Sequence, residues 1–333
     1  MRLLNKLFLR PISIIGTFIL VTAGVLYILL KRINAPIGYG TVEYGVEYKN
    51  GLSLDVYFPT KKVYEKSPLI IFFHGGAWLI GTKEAININH FHGAIKTLRD
   101  NGYTIISPEY TLGENGESPF PYCVTDAFDV LKWLEDNSEK YHFDLTNIGV
   151  LGESAGAHLA MMTAFSNPRY FSSRPTKIKP GYLVDVYGPS DLRMLKKGQA
   201  IDTLNALLEK IPFDWEEKID IPRHLFGFDP KRNQSKADDF IKKFSPVSYL
   251  DYSAPPVLMV HGNEDVVVPV SQSISLKEKL DVLEITNDLK IIKGVNHGFQ
   301  GASKEQRDKI QHWIVDFVLK NYRIPGKEVT AAK

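Results

Sequence analysis

The chain has little with which to hold a metal, a nucleotide or a nucleic acid. Its single cysteine, Cys123, cannot close an internal disulfide and is silent about redox compartment. No cysteine cluster and no H-E-x-x-H segment supplies the ligand spacing of a catalytic metal. His90, His92, His142 and His224 show no such spacing either and read as surface or packing residues. There is no Walker loop and no G-x-G-x-x-G turn, so a nucleotide cofactor has no phosphate cradle. Neither sign of charge is in excess: 40 Lys and Arg against 38 Asp and Glu leave a net charge of +2, spread along the chain, which is not the footprint of a nucleic-acid surface. Internal repeats and low-complexity blocks are missing, which excludes a solenoid or array. What is left is a chain of 333 residues, enough for one large domain with a deep core and an appendage. It is expected to act without metal or cofactor; its oligomeric state is not legible.

Charge is wholly absent from residues 11–30, a run made mostly of Ile, Leu, Val, Phe, Gly and Thr. As a helix it would extend about 30 Å, the thickness of a bilayer core. It has no polar face to turn toward water, so an amphipathic surface helix does not account for it. Arg10 closes one side and Lys31 and Arg32 the other, with Tyr27 near the second boundary. The expectation is a transmembrane anchor at 11–30 in the lipid bilayer, behind a basic flank at 1–10 and ahead of a linker at 31–41 that carries Pro36, Gly38 and Gly40. A cleaved signal peptide is the alternative, since Val21-Thr22-Ala23 offers small residues, but the apolar run continues well past that site. Arg2, Lys6, Arg10 and the terminal amine outnumber Lys31 and Arg32, which places the N-terminus in the cytoplasm and the following domain outside.

The chemistry lies further along. Gly152-Glu153-Ser154-Ala155-Gly156 has the G-x-S-x-G form of a nucleophile elbow. Residues 147–151 before it read as a short buried strand, and residues 157–165 after it as a helix. A sharp turn between them would expose the Ser154 hydroxyl. A serine needs a base, and the base needs an orienting carboxylate, in the chain order Ser, Asp, His for this architecture. Residues 257–260 form an apolar strand that runs into His261-Gly262-Asn263-Glu264-Asp265, which offers two carboxylates. Residues 289–292 form another, followed by a loop carrying His297. Ahead of the elbow, the strand at 68–73 ends in His74-Gly75-Gly76-Ala77-Trp78. Its glycines free the backbone to turn the amides of Gly75 and Gly76, together with that of Ala155, toward a developing oxyanion. His74 reads as a brace for this loop, His261 as a support for the acid loop, and His158 as a packing residue one turn past Ser154.

Residues 42–48 and 52–58 alternate in polarity around Asn50-Gly51, which predicts a hairpin. Residues 85–101, 122–137 and 304–322 read as helices, and 103–107 and 182–187 as strands. Residues 108–121 form a Gly/Pro-rich loop, and Cys123 falls on the apolar face of 122–133. Strands alternating with helices predict an α/β fold, a mostly parallel central sheet with helices on both faces. The polar tail 323–333 is expected to be disordered.

These blocks resemble the α/β-hydrolase esterases and lipases, close to the hormone-sensitive-lipase-like and feruloyl-esterase-like carboxylesterases. The matching residues are His74 to Trp78, Gly152 to His158, Ser245-Pro246, Pro255 to Leu258, His261-Gly262 with Asp265 and Pro269, and His297-Gly298-Phe299. The resemblance covers residues 42–322 and implies Ser154 as nucleophile, Asp265 rather than Glu264 as orienting acid, and His297 as base. It implies a small-molecule ester as substrate. Residues 191–244 have no counterpart in it and fall where such enzymes insert a substrate cap. The same machinery could serve an amide or peptide bond, and the fold could also be reused for binding alone. The charged cap segment, with Lys196, Lys197, Glu209, Lys210, Glu216, Glu217, Lys218 and Lys231, leads us to expect short to medium acyl chains.

Overall fold

The computed structural model describes residues 39–87, 92–114, 116–196 and 221–323. The expected anchor at 11–30, its basic flank, most of the linker, the middle of the cap segment, His90 and all but the first residue of the tail lie outside them. Among the described residues no helix is long and apolar enough to cross a membrane.

Eight strands form one sheet: β1 (Val42–Lys49), β2 (Leu52–Tyr57), β3 (Ser67–Phe73), β4 (Thr104–Pro108), β5 (Phe143–Glu153), β6 (Tyr182–Val186), β7 (Val257–Gly262) and β8 (Asn287–Ile292). Their order across the sheet is β1-β2-β4-β3-β5-β6-β7-β8. β2 is antiparallel to both of its neighbours, and every pairing from β4 to β8 is parallel. The hairpin turns at Asn50-Gly51, where Gly51 takes a φ of +80° that a side chain would resist.

Helices cover both faces. They are α1 (His92–Asp100), α2 (Tyr122–Tyr141), α3 (Ala155–Phe165), α4 (Ile221–Phe226), α5 (Gln234–Phe244), α6 (Ser271–Val282) and α7 (Lys304–Lys320). Alternation along β3 decides which face each residue serves. Ile71 and Phe73 pack with Val124 of α2, Leu159 of α3, Ile241 of α5 and Leu276 of α6. Ile70 and Phe72 pack with Ile95 and Leu98 of α1 and Ile310 and Ile314 of α7. A parallel strand covered on both sides is apolar at nearly every position, and β3 from Pro68 to Phe73 is buried throughout. Cys123 sits in the core, as its place in the apolar stripe implied.

The reading of elements differs from the structure at several places. The expected helix at 85–101 is a 3₁₀ turn at Lys83–Asn87 and then α1. α2 runs on to Tyr141, where His142 closes it in a left-handed conformation. α7 stops at Lys320, two residues short of the expected end. α5 and α6 were not anticipated. α5 buries Ala237, Ile241 and Phe244, so this end of the expected cap is built into the body of the domain.

Candidate active site

The parallel strands all end on one edge, and the residues singled out from the sequence collect there. At the elbow, β5 ends at Glu153 and α3 begins at Ala155, leaving Ser154 between them at φ 53° and ψ −120°. That conformation is sparsely populated for a residue with a side chain and persists only where surrounding structure enforces it. The enforcement comes from close packing. A Cβ on Gly152 would lie 2.3 Å from the Gly156 carbonyl oxygen, and one on Gly156 would lie 2.1 Å from the carbonyl oxygen of Phe73. The Ser154 amide donates to Val186 O at 2.9 Å, tying the turn to β6.

His297 follows β8 and meets the elbow from the side. Its Nε2 lies 3.0 Å from Ser154 Oγ, and its Nδ1 lies 2.7 Å from Asp265 Oδ2. Asn296 holds this loop to the acid loop: its Oδ1 accepts from the His297 amide at 2.7 Å and from the Val266 amide at 3.1 Å. The Tyr187 ring packs on the imidazole with centroids 4.8 Å apart. Of the two carboxylates on the loop after β7, Asp265 is the one brought to the imidazole; Glu264 is exposed. Asp265 is only 7% exposed. Its Oδ1 accepts from the amides of Val267 and Val268 at 2.9 and 2.8 Å. Burial works to raise its pKa, but hydrogen bonds from His261 and His297 outweigh burial and hold it at about 2. The carboxylate therefore stays charged and the Nδ1 proton stays on His297, which leaves the Nε2 lone pair facing Ser154. His261 supports the acid loop as expected, with Nε2 3.3 Å from Asp265 Oδ2 and Nδ1 2.8 Å from Ser273 Oγ.

On the other side of Ser154, the loop after β3 is pinned at several points. Gly76 takes a φ of +123°, and a Cβ there would fall 1.9 Å from Ile80 O. Ala77 and Trp78 are also left-handed. His74 braces the loop as expected: its Nδ1 lies 2.7 Å from Gly75 O and its ring stacks on Tyr110. Burial lowers its pKa to about 4, so it is neutral near pH 7. His158 also packs rather than reacts, with Nε2 2.7 Å from Phe244 O and its ring edge-on to Trp78 and Phe120.

The Glu153 carboxylate, partly buried beside the nucleophile, accepts a hydrogen bond from the Tyr187 hydroxyl at 2.8 Å. Its surroundings raise the pKa of Glu153 by desolvation in spite of the Tyr187 hydrogen bond. The three expected oxyanion donors lie on either side of Ser154, Gly75 and Gly76 in the loop after β3 and Ala155 just past the serine. Ala155 opens α3, where first-turn amides have no intrahelical acceptor and the helix dipole favours negative charge. Glu153, Tyr187 and Asn296 were not singled out from the sequence. The available signal for Glu153 and Tyr187 was adjacency, since the former directly precedes Ser154 and the latter closes the expected strand at 182–187.

Beneath the elbow, β6 carries a second buried carboxylate. Asp185 Oδ1 accepts from the Gly188 amide at 2.8 Å, while Oδ2 has no partner among the described residues. Burial lifts its pKa to about 7. Between the ordinary value of 3.8 and about 7 the unfolded chain is ionised at this position while the folded one keeps its proton, so stability falls as pH rises through that window. Asp185→Asn cannot ionise, and its stability relative to the parent should rise by roughly 2–4 kcal/mol between pH values near 5 and 8. Thermal unfolding at both pH values measures this, and the shared histidines cancel in the difference. A difference independent of pH would contradict it.

An elbow serine, a buried carboxylate and a histidine in this chain order, on the C-terminal edge of a sheet in this strand order, define an α/β-hydrolase. More narrowly, the chain belongs to the BD-FAE family, which matches it over residues 54–280, more than half its length. Esterase LipC of Mycobacterium tuberculosis is 24% identical over 276 residues, 81% of this chain and 62% of its own length. This chain therefore spans less than two thirds of that relative. Among solved structures, a truncated carbohydrate esterase from gut microbiota superposes with a TM-score of 0.66 at 20% identity, covering 84% of this chain and 97% of its own. An esterase from Thermogutta terrifontis with propionate bound gives a TM-score of 0.62 at 19% identity, covering 86% and 96%.

Proposed function

We propose that this chain is a serine hydrolase that cleaves carboxylic esters through an acyl-enzyme, with Ser154, His297 and Asp265 as its catalytic residues. The observation that carries the reading is the unbroken run of contacts from Ser154 Oγ to His297 to the buried Asp265 carboxylate. As Ser154 Oγ attacks the ester carbonyl carbon, its proton passes to His297 Nε2. The carbonyl electron pair moves to oxygen, where the amides of Gly75, Gly76 and Ala155 receive it. His297 then protonates the departing alcohol, and the acyl group stays on Ser154. A water molecule, deprotonated by the same nitrogen, cleaves the acyl-enzyme and restores the serine. Asp265 holds the imidazole tautomer and stabilises the imidazolium formed in each half-reaction. The names of the relatives support ester chemistry.

The preferred substrates on this reading carry short to medium acyl chains. Residues 191–244 alternate charge with apolar residues and lack the long apolar run of a lid opened by lipid. The propionate bound to the Thermogutta terrifontis esterase is a short acid of that kind. The anchor at 11–30 remains part of the proposal, with the domain outside the cytoplasm. Hydrolysis of p-nitrophenyl esters from acetate to palmitate, with a p-nitroanilide alongside, tests the substrate class on the full chain. The expected kcat/KM peaks at butyrate to octanoate and is far lower for the anilide. A steady rise to palmitate with activation at an oil–water interface, or faster anilide cleavage, would contradict the reading.

A further inference from the structure

Residues 154–184 contain no Asp or Glu but carry Arg169, Arg174, Lys177 and Lys179. The four fall in the loop that leads from the end of α3 back to the start of β6, and all four are exposed. None lies within ion-pair distance of a carboxylate among the described residues, unlike Lys49 beside Asp126 or Lys277 beside Asp281. Arg169, Lys177 and Lys179 line a cleft of about 610 Å³; among the described residues one carboxylate lines it, Asp251, whose pKa is lowered by hydrogen bonds from Ser253 and, less, by the Lys179 charge. Two large aromatic side chains stand out beside it, Tyr170 at 67% and Tyr252 at 82% exposure.

This basic, tyrosine-flanked face lies on the edge of the sheet opposite Ser154. α3 starts at the catalytic edge and runs away from it, so the loop after Phe165 lies at the N-terminal ends of the parallel strands. Tyr252 belongs there too, five residues ahead of the start of β7. The described chain enters on the same edge, because Val42 pairs with Tyr57, which pairs in turn with Ile105 near the start of β4. Residues 31–38 separate that entry from the uncharged run at 11–30 and can span at most about 28 Å whatever their conformation. Unpaired cations beside exposed tyrosines match the chemistry of an anionic lipid surface, where lysine and arginine meet phosphate groups and tyrosine rings sit at headgroup level.

We propose that the loop 166–181, with Tyr252, is the face on which the domain rests against an anionic bilayer, turning Ser154 and its cleft away from the lipid. The proposal uses residues separate from the anchor but shares the bilayer with that reading, so the test reads the two independently. Full-length protein is combined with vesicles of phosphatidylcholine alone, or with roughly one third phosphatidylglycerol. A fluorophore is placed on Ser173→Cys in the loop or on Lys304→Cys at the catalytic edge; the native Cys123 is buried and spared. Quenching by neutral acrylamide at Ser173→Cys should fall several-fold on the anionic vesicles and stay unchanged at Lys304→Cys. Salt at about 0.5 M should reverse the shielding. So should Arg169→Gln, Arg174→Gln, Lys177→Gln and Lys179→Gln together, with ester hydrolysis unaltered. Equal quenching at both positions, shielding of Lys304→Cys instead, or shielding indifferent to the fourfold variant would overturn the proposal. Carbonate-resistant pelleting with phosphatidylcholine alone reads the anchor. A chain that pellets only with anionic vesicles, with Ser173→Cys shielded, keeps this face and removes the anchor.

Discussion

Ser154→Ala is expected to lower kcat for ester hydrolysis by about 10⁴-fold or more while leaving the fold intact, since it removes one partly buried hydroxyl and no packing. His297→Ala should fall to a similar level, and the double variant little further, because the two act as one unit. Asp265→Asn is the more informative change. Its amide cannot stabilise an imidazolium, and it favours the tautomer with the proton on Nε2, pointing at Ser154, so a loss on the order of 10⁴ is expected. It should also cost stability at neutral pH. The carboxylate has its folded pKa held down at about 2, below the ordinary 3.8. Its contribution is therefore complete above pH 3.8 and is lost as pH falls toward 2. Glu264→Gln, one residue away and exposed, is the matched control and should retain activity. Steady-state kinetics with p-nitrophenyl acetate on the five variants would decide. Full activity in Ser154→Ala removes the mechanism, and activity retained in Asp265→Asn but lost in Glu264→Gln would move the acid.

The second large effect is structural. Gly156→Ala should lower the melting temperature by roughly 10 °C and remove activity. The new methyl would lie 2.1 Å from Phe73 O and 2.4 Å from His74 O, which are backbone atoms at the end of β3 and the start of the oxyanion loop. No side chain can swing aside to relieve this. Either α3 moves off the sheet or β3 shifts, and both displace Ser154 from His297. Overpacking against main chain of this kind costs about 3 kcal/mol or more. Gly294→Ala is the comparison: no atom lies within 4 Å of its Cβ, and only its φ of +73° is strained. Its cost should stay near 1–2 kcal/mol. Calorimetry of both variants tests the claim, and equal melting temperatures would contradict it.

These outcomes show why so much of the site was legible. Ser154 and Asp265 sit at strand ends beside glycines required by contact, and His297 lies between Gly294 and Gly298, whose φ of +73° and +65° favours glycine; such requirements leave short fixed patterns in sequence. The central strands were legible because burial on both faces makes them short unbroken apolar runs. The hydrogen bond from Tyr187 to Glu153 was not legible. A carboxylate turned inward beside the nucleophile is an exception to solvation preference, and nothing local marks Glu153 as partly buried or Tyr187 as its donor, 34 residues away. α6 escaped for another reason: only Ser273, Leu276 and Leu280 of its twelve residues are buried, too narrow a stripe to read among serines and lysines. α5 was hidden inside the expected cap because Lys236, Asp238, Asp239, Lys242 and Lys243 outnumber the three residues it buries.

The central claim is that Ser154 is the activated nucleophile, and its reaction with a fluorophosphonate tests this most directly. Intact mass of the full chain should show a single adduct, mapped by peptide sequencing to Ser154. Ester hydrolysis should be lost in proportion to labelling, with no adduct in Ser154→Ala and a rate reduced by orders of magnitude in His297→Ala. An unlabelled chain that still hydrolyses esters, or an adduct at another residue with activity lost in step, would contradict it.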